Sequence, residues 1–177
     1  MLRYFPLSLR LTDADEIFQL RFALDAAACL KTSNLLSDVD FETSGEGLTL
    51  FADTEEAFAP IVAYLKERHF ESLEISPVRV RYRWHPMLLE PVMAVRVRLS
   101  EHHFHLVTCH LLARGADIMT CPDETSAYDI YAQAPLARLL GIRGELKALC
   151  GGACYTELQL FGYFSPEPAS GPYDYAG

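Results

Sequence analysis

One order of predicted strands and helices occurs twice along this chain, and this repeat constrains the fold more than any other feature. In the first half, residues 5–11 alternate apolar and polar side chains as a half-buried strand does, and a helical stretch follows to about Leu30. A hairpin over 39–51, a second amphipathic helix and an alternating strand over 78–84 complete the order β-α-β-β-α-β.

The second half repeats that order. Residues 95–99 alternate again, a helix is predicted over 101–112, and a hairpin turns near 122–124. A helix that starts at Pro135 and runs to about Leu149 comes next, and a strand over 155–161 closes the unit. Two split βαβ units of this kind form the ferredoxin-like arrangement, an antiparallel sheet with both helices on one face. The sequence therefore predicts an α+β fold of two tandem ferredoxin-like (βαββαβ) domains.

The predicted domain boundaries follow from the point where the repeat begins again. We assign residues 1–85 to the first domain and 86–168 to the second, with 85–89 as a short linker between them. Residues 169–177 continue a stretch rich in proline and serine that has no apolar periodicity, and we expect them to form a flexible tail.

Composition narrows the classes of partner and compartment. The chain has 177 residues, with 15 Lys and Arg against 24 Asp and Glu, so its net charge of −9 disfavours DNA and non-specific nucleic-acid binding. The five cysteines show no disulfide-framework spacing, and the N-terminus lacks the apolar stretch of a signal peptide. No apolar run approaches the length of a membrane span. We therefore expect a cytoplasmic protein with free thiols and no membrane partner.

Three segments of the second half carry a family resemblance. They are Leu-Glu-Pro-Val-Met at 89–93, Ala-Pro-Leu-Ala-Arg-Leu-Leu-Gly at 134–141 and Phe-Gly-Tyr at 161–163. Together they resemble the last domain, domain V, of elongation factor G, elongation factor 2 and the tetracycline-resistance ribosomal protection proteins. The resemblance covers residues 89–168.

The first half is similar to domain III of the same factors, which is also ferredoxin-like. The similarity lies in Tyr-Leu-Lys-Glu-Arg-His-Phe at 64–70 and in Ser-Pro-Val-Arg-Val-Arg-Tyr-Arg at 76–83. Two departures stand out: residues 51–58 replace a Gly-Met-Gly-Glu-Leu-His segment of the family, and the Arg-rich triplet expected near residues 113–116 is reduced to one arginine.

The resemblance implies a partner, and the residues restrict the activity. In the family, domain V lies near the stalk base of the large ribosomal subunit, so the implied partner is the factor-binding region of the ribosome. The 177 residues contain no Gly-x-x-x-x-Gly-Lys-Ser/Thr loop, and we expect no GTPase activity, no catalysis and no cofactor. The predicted function is that of a ribosome-associated accessory factor or competitor. The alternative is a protein-interaction or homodimerisation module that uses its open sheets away from the ribosome.

An arginine cluster on the first predicted sheet is the main candidate for a binding surface. Arg79, Arg81 and Arg83 alternate along one strand, and Arg10 belongs to the neighbouring strand of this fold. Guanidinium groups bind phosphate or carboxylate in a bidentate manner, so the cluster is suited to RNA or to an acidic partner. The alternative is a solvated sheet face on which the arginines pair with acidic side chains such as those of Asp38, Asp40 and Glu42.

Two weaker candidates lie in the second half. Arg96 and Arg98 are expected on the outer sheet face together with Tyr131 and Tyr155. Arginines interleaved with aromatic side chains are typical of surfaces on which the bases of single-stranded RNA stack. Packing between the two domains explains the same residues equally well. The histidines and cysteine of segment 102–110 follow helical spacing that suits a metal. A single helical stripe does not close a tetrahedral site, and we expect no metal there.

Overall fold

Two antiparallel sheets, each with helices against one face, make up the protein. The computed structural model describes residues 4–68, 72–119 and 128–166. Each sheet has five strands, and the order of the four main strands is the same in both halves. The predicted α+β class with two ferredoxin-like units is therefore confirmed.

The first half is built from β1 (Leu7–Asp13), α1 (Gln19–Lys31), β2 (Val39–Ser44), β3 (Gly47–Ala52), α2 (Phe58–Arg68), β4 (Leu73–Ile75) and β5 (Arg79–Val80). Its sheet has the strand order β2-β3-β1-β4, and β5 also pairs with β1. The period of two along β1 explains its orientation: Leu7, Leu9 and Leu11 are buried in the core, whereas Ser8 and Arg10 lie on the opposite face.

The predicted strand over 78–84 is wrong as a single element. Leu11 pairs with Ile75 and Ser8 pairs with Arg79. Between these two pairs, the three residues 76–78 stand opposite only two residues of β1, 9 and 10. This extra residue makes a β-bulge around Pro77, which has no N–H to donate to the ladder. The chain then leaves the first sheet, and β6 (Arg83–Trp84) pairs with the start of β7 (Leu88–Leu99) instead.

After β7, the second half is built from α3 (Glu101–Ala113), β8 (Asp117–Met119), β9 (Tyr128–Pro135), α4 (Leu136–Leu139), α5 (Ile142–Leu149) and β10 (Tyr155–Phe164). Its sheet has the strand order β10-β7-β9-β8. β7 is buried at every second residue from Pro91 to Leu99, as its alternating sequence indicates. None of the helices in the described ranges is both long and apolar enough to cross a bilayer.

The helix predicted over 135–149 is interrupted. Leu140 is extended, with ψ of 130°, and Gly141 has φ of +76°, so α4 ends and α5 begins anew. Glycine occupies the left-handed region without the steric cost that a Cβ atom brings. The N–H of Gly141 donates a hydrogen bond of 2.7 Å to Oε2 of Glu55, which belongs to the first half of the chain.

The predicted linker 85–89 is shorter in the structure. Arg83 pairs with Leu89 and Trp84 with Leu88, and the N–H of His85 donates to the carbonyl of Met87 at 2.8 Å. Only residues 85–87 therefore lie between paired strands. The boundary between residues 85 and 86 stays a prediction, and both the turn near 122–124 and the tail 169–177 lie outside the described residues.

Candidate interaction surfaces

Arg10 and Arg79 lie on the outer face of the first sheet, the face opposite the helices. Arg79 is exposed and pairs across the strands with Ser8, whose neighbours Leu7 and Leu9 point into the core. Nη1 of Arg10 lies 2.5 Å from Oε2 of Glu46, a residue of the β2–β3 turn. Arg10 thus pairs with an acidic residue, as the solvated-face alternative requires, although Glu46 was not among the residues proposed for that role.

A small polar cleft lies between these two arginines. It has a volume of about 130 Å³ and is lined by Ser8, Arg10, Thr49, Ser76 and Arg79, which we call the sheet-face cleft. The backbone N–H of Arg10 donates to Oγ of Ser76 at 3.0 Å, and the N–H of Ser76 donates to the carbonyl of Arg10 at 2.9 Å. The β-bulge therefore forms one wall of the cleft.

Arg81 and Arg83 do not take part in that open surface. Cζ of Arg81 lies 4.3 Å from the ring centre of Phe51 and 4.4 Å from that of Tyr4. Cζ of Arg83 lies 4.1 Å from the ring centres of both Tyr4 and Tyr163. Phe51, Arg81, Tyr4, Arg83 and Tyr163 form one arginine–aromatic stack, in which the rings of Tyr4 and Tyr163 also meet edge-on with their centres 5.7 Å apart. Its last ring belongs to β10, so the stack connects the two halves of the chain.

Tyr163 is the innermost phenol of this stack. Burial raises the pKa of Tyr163 to about 12, and the neighbouring guanidinium of Arg83 opposes this rise. Within the described ranges the buried hydroxyl of Tyr163 has no hydrogen-bond partner. The ring of Tyr163 lies against Arg83, with 4.1 Å between the ring centre and Cζ.

A second contact joins the two halves on the helix side. Oε2 of Glu55 accepts the hydrogen bond from Gly141 described above, and Oε2 of Glu56 lies 3.4 Å from Nη1 of Arg143. Glu55 and Glu56 form the turn that leads into α2, and Gly141 and Arg143 begin α5. The halves are therefore joined both through the stack and through the helix starts.

The outer face of the second sheet carries paired charges. Asp129 lies 2.7 Å from Nη2 of Arg96 and 3.1 Å from Nε of Arg98, and its side chain is only 9% exposed. Hydrogen bonds from Arg98 and Arg96 lower the pKa of Asp129. Cζ of Arg96 also lies 5.5 Å from the ring centre of Tyr131. Arg96, Arg98 and Tyr131 share one face as predicted, but Asp129 neutralises much of its positive charge. Tyr155, opposite Arg98, is 62% exposed.

The histidines of α3 point to different partners. Nε2 of His105 lies 3.7 Å from Sγ of Cys109, whereas Nε2 of His110 lies 2.8 Å from Oε2 of Glu145. Glu145 also binds Arg114, and hydrogen bonds from His110 and Arg114, the former larger, lower the pKa of Glu145. Over the ranges 4–68, 72–119 and 128–166, no three His, Cys, Asp or Glu side chains are grouped as metal ligands. The expectation of no bound metal stays a prediction.

The sequence analysis did not identify the aromatic residues that contact the guanidinium groups of Arg81 and Arg83. Tyr4, Phe51 and Tyr163 come from three distant parts of the chain, and no local spacing connects them. It also missed Asp129, although its place two residues before Tyr131 puts it on the same strand face. That alternation was the one signal available, because Arg98 and Asp129 are direct cross-strand partners.

Comparison with known proteins shows that the second half of the chain is similar to the C-terminal part of a translation factor. Residues 87–168 match the family model for the elongation factor G C-terminus. Elongation factor G 2 of Hahella chejuensis (strain KCTC 2396) is 37% identical over 67 residues, which are 38% of this chain and 10% of that protein. The chain thus aligns with only about a tenth of that relative. The predicted resemblance to the C-terminal region of elongation factor G is confirmed.

A solved structure shares the fold over nearly the whole chain. The crystal structure of ttk003000868 from Thermus thermophilus matches with a TM-score of 0.65 and 15% sequence identity. The match covers 95% of this chain and 42% of that one. The arrangement of both sheets, and not the second alone, therefore occurs in another protein.

Proposed function

We propose that this chain is a non-catalytic relative of elongation factor G that binds the ribosome at the factor-binding region of the large subunit. The observation that carries the proposal is the match of residues 87–168 to the elongation factor G C-terminus. Binding without a nucleotide cycle is a simple equilibrium, so the protein acts in the cytoplasm as an accessory factor or as a competitor of translation factors.

The charged side chains of the described residues support a binding role without chemistry. Asp129 is held between Arg96 and Arg98, and Glu145 between His110 and Arg114. Ion pairs of this kind orient side chains and stabilise packing, whereas a catalytic group needs a substrate or nucleophile within hydrogen-bond reach. Because the 177 residues contain no Gly-x-x-x-x-Gly-Lys-Ser/Thr loop, GTP is expected to cause neither turnover nor a thermal shift, and measured binding at micromolar concentration contradicts this part of the proposal.

The outer face of the first sheet is the part of the surface best suited to touch ribosomal RNA. Arg79 is exposed, and no ion pair engages it among the described residues. Arg81 and Arg83 are half-buried in the stack, so changing them to acidic residues disrupts the joint between the halves as well as any RNA contact. Arg79 is thus the residue to change in a binding experiment.

Co-sedimentation with purified large ribosomal subunits tests the proposal. The wild-type chain is expected to pellet with the subunits at low salt and to be released at high salt, because surface charge contacts are screened. Arg79→Glu is expected to reduce pelleting. Arg21→Glu makes the same change of charge on α1, on the helix side of the first sheet, and is the matched control.

Two results separate the parts of this proposal. If the wild-type chain fails to pellet at low salt, ribosome binding is refuted. If pelleting is strong but equal for wild type and Arg79→Glu, the contact through the first sheet is refuted and the second domain becomes the site to map.

A second candidate function is homodimerisation, and the long free edge of the second sheet favours it. β10 spans Tyr155–Phe164, and in the described part of the chain it pairs only with β7. A long unpaired strand edge is a template for pairing with another chain. A dimer through β10 is expected to appear as a concentration-dependent mass in light scattering.

Two glutamines provide a matched test of that edge. Gln133 and Gln159 both stand opposite Ala94, one on the interior strand β9 and the other on the edge strand β10. Lysine on an edge strand opposes edge-to-edge pairing. Gln159→Lys is therefore expected to abolish the dimer and Gln133→Lys to preserve it, whereas a monomer at all concentrations excludes this function.

A further inference from the structure

We propose that the sheet-face cleft is an oxyanion site that binds a phosphate group of an RNA backbone. The cleft combines two guanidinium side chains, Arg10 and Arg79, with the hydroxyls of Ser8 and Thr49. The RNA assignment rests on the proposed ribosome binding, whereas the affinity for phosphate itself rests on the cleft alone.

The strand register brings these four side chains to one place. Ser8 stands opposite Arg79 on one side of β1, and Arg10 stands opposite Thr49 on the other side. Arg10 and Arg79 are diagonal neighbours across a strand pair, where long side chains reach each other over about 7–8 Å. The β-bulge at 76–78 is essential, because without the extra residue Arg79 turns to the core face.

The chemistry of the lining fits a tetrahedral oxyanion. Guanidinium groups and hydroxyls are all hydrogen-bond donors, so Arg10, Arg79, Ser8 and Thr49 can each donate to one oxyanion in the cleft. Arg79 is exposed, so it retains its hydration until a ligand arrives and its charge is available at little desolvation cost.

Two carboxylates flank the cleft and set its affinity. Glu46 pairs with Arg10, and Glu42 stands opposite Thr49 on β2. The side chain of Glu46 is 72% exposed, so it can move into solvent when a phosphate approaches Arg10. Glu46 is therefore a competitor of the ligand, and its removal is expected to strengthen binding. Stronger binding after removal of Glu46 distinguishes a phosphate site from a surface on which Arg10 serves only to pair with Glu46.

The first experiment uses inorganic phosphate and nuclear magnetic resonance at constant ionic strength. Phosphate is expected to shift the backbone amide signals of Ser8, Arg10, Thr49 and Ser76 together, while chloride leaves them unchanged. Arg79→Ala is expected to weaken the affinity at least about tenfold, as loss of a charge-assisted hydrogen bond does. Arg21→Ala is the control with the same charge change. Shifts spread over the surface, or equal affinity for both variants, overturn the site.

The second experiment tests the competitor and the RNA source. Glu46→Gln is expected to tighten binding of a fluorescent single-stranded RNA several-fold, with Asp25→Asn as the matched charge control on α1. One bound phosphate predicts a slope of about −0.7 for log K against log salt, and Arg79→Ala is expected to bring this slope closer to zero. An effect of Glu46→Gln no larger than that of Asp25→Asn contradicts the proposed competition.

The outcomes for the cleft and for ribosome binding are separable. If phosphate binds in the cleft but RNA affinity and ribosome pelleting do not depend on Arg79, the RNA assignment is wrong. If phosphate does not shift the amide signals of the cleft while the chain still pellets with large subunits, the cleft proposal fails and the proposed function stands. If RNA binds through the cleft but the chain never pellets, the proposed function fails instead.

Discussion

Removing the guanidinium of Arg83 is expected to loosen the joint between the two halves of the chain. Arg83 lies 4.1 Å from the ring centres of both Tyr4 and Tyr163, which belong to opposite halves. Arg83→Ala deletes both contacts, while the edge-on contact between the rings of Tyr4 and Tyr163 remains. Arg83→Lys keeps the positive charge but loses the planar group that stacks on aromatic faces, so it is expected to recover only part of the stability.

The size of the effect follows from the two ring contacts. A cation over an aromatic face contributes about 0.5–1 kcal/mol when exposed and about 2 kcal/mol when desolvated. Arg83 is half-buried, so two contacts predict a loss of about 1–3 kcal/mol in the free energy of unfolding. For a chain of this length, each 1 kcal/mol lowers Tm by about 2–4 °C, and the expected decrease for Arg83→Ala is about 2–12 °C.

Calorimetry and urea unfolding measure this prediction. Because Arg83 joins the halves, its loss is also expected to broaden the transition or divide it in two, as weakly coupled domains unfold separately. Arg79→Ala is the control, since an exposed arginine outside the stack is expected to change stability by less than about 0.5 kcal/mol. The reasoning is refuted if Arg83→Ala and Arg79→Ala unfold at the same temperature with equally sharp transitions.

Three further predictions concern single groups. Burial raises the pKa of Tyr163 from 10.0 to about 12, so the stability that this group contributes declines as pH rises above about 10 towards 12. Tyr163→Phe keeps the ring contact and is expected to remove this part of the decline. Urea unfolding at several alkaline pH values measures the difference. Hydrogen bonds from His110 and Arg114 hold the pKa of Glu145 below 4.5, so its contribution to the free energy of unfolding is present above about pH 4.5 and is lost as pH falls through the lowered pKa. Glu145→Gln is expected to lower the free energy of unfolding by about 1 kcal/mol at neutral pH and to leave it unchanged in acid. Urea titrations at several pH values measure this difference. Gly141→Ala is expected to lower the free energy of unfolding by about 1–2 kcal/mol, because φ is +76° there although space for a Cβ atom exists; a neutral result in chemical denaturation contradicts the assigned conformation.

Much of the fold could be predicted because its signals are local. The alternation along β1 identified a half-buried strand, and the buried Leu7, Leu9 and Leu11 confirm the face assigned to the core. The α1 and α3 helices end within one residue of the positions predicted for them, Leu30 and Leu112. The predictions that failed are those where long-range contacts decide: a bulge at Pro77 and an interrupted helix at Gly141 both depend on partners far along the chain.

The sequence by itself determined the two βαββαβ units, the resemblance of the second to elongation factor G, and which arginines alternate on a strand face. Only the tertiary structure decided what those arginines do. Arg79 stays exposed, and Arg81 and Arg83 enter the stack. Asp129 pairs with both arginines of the second sheet and balances one of their two positive charges. The physical reason is that burial follows from side-chain period within one element, whereas the partner of a charge depends on how separate elements pack, which no local pattern records.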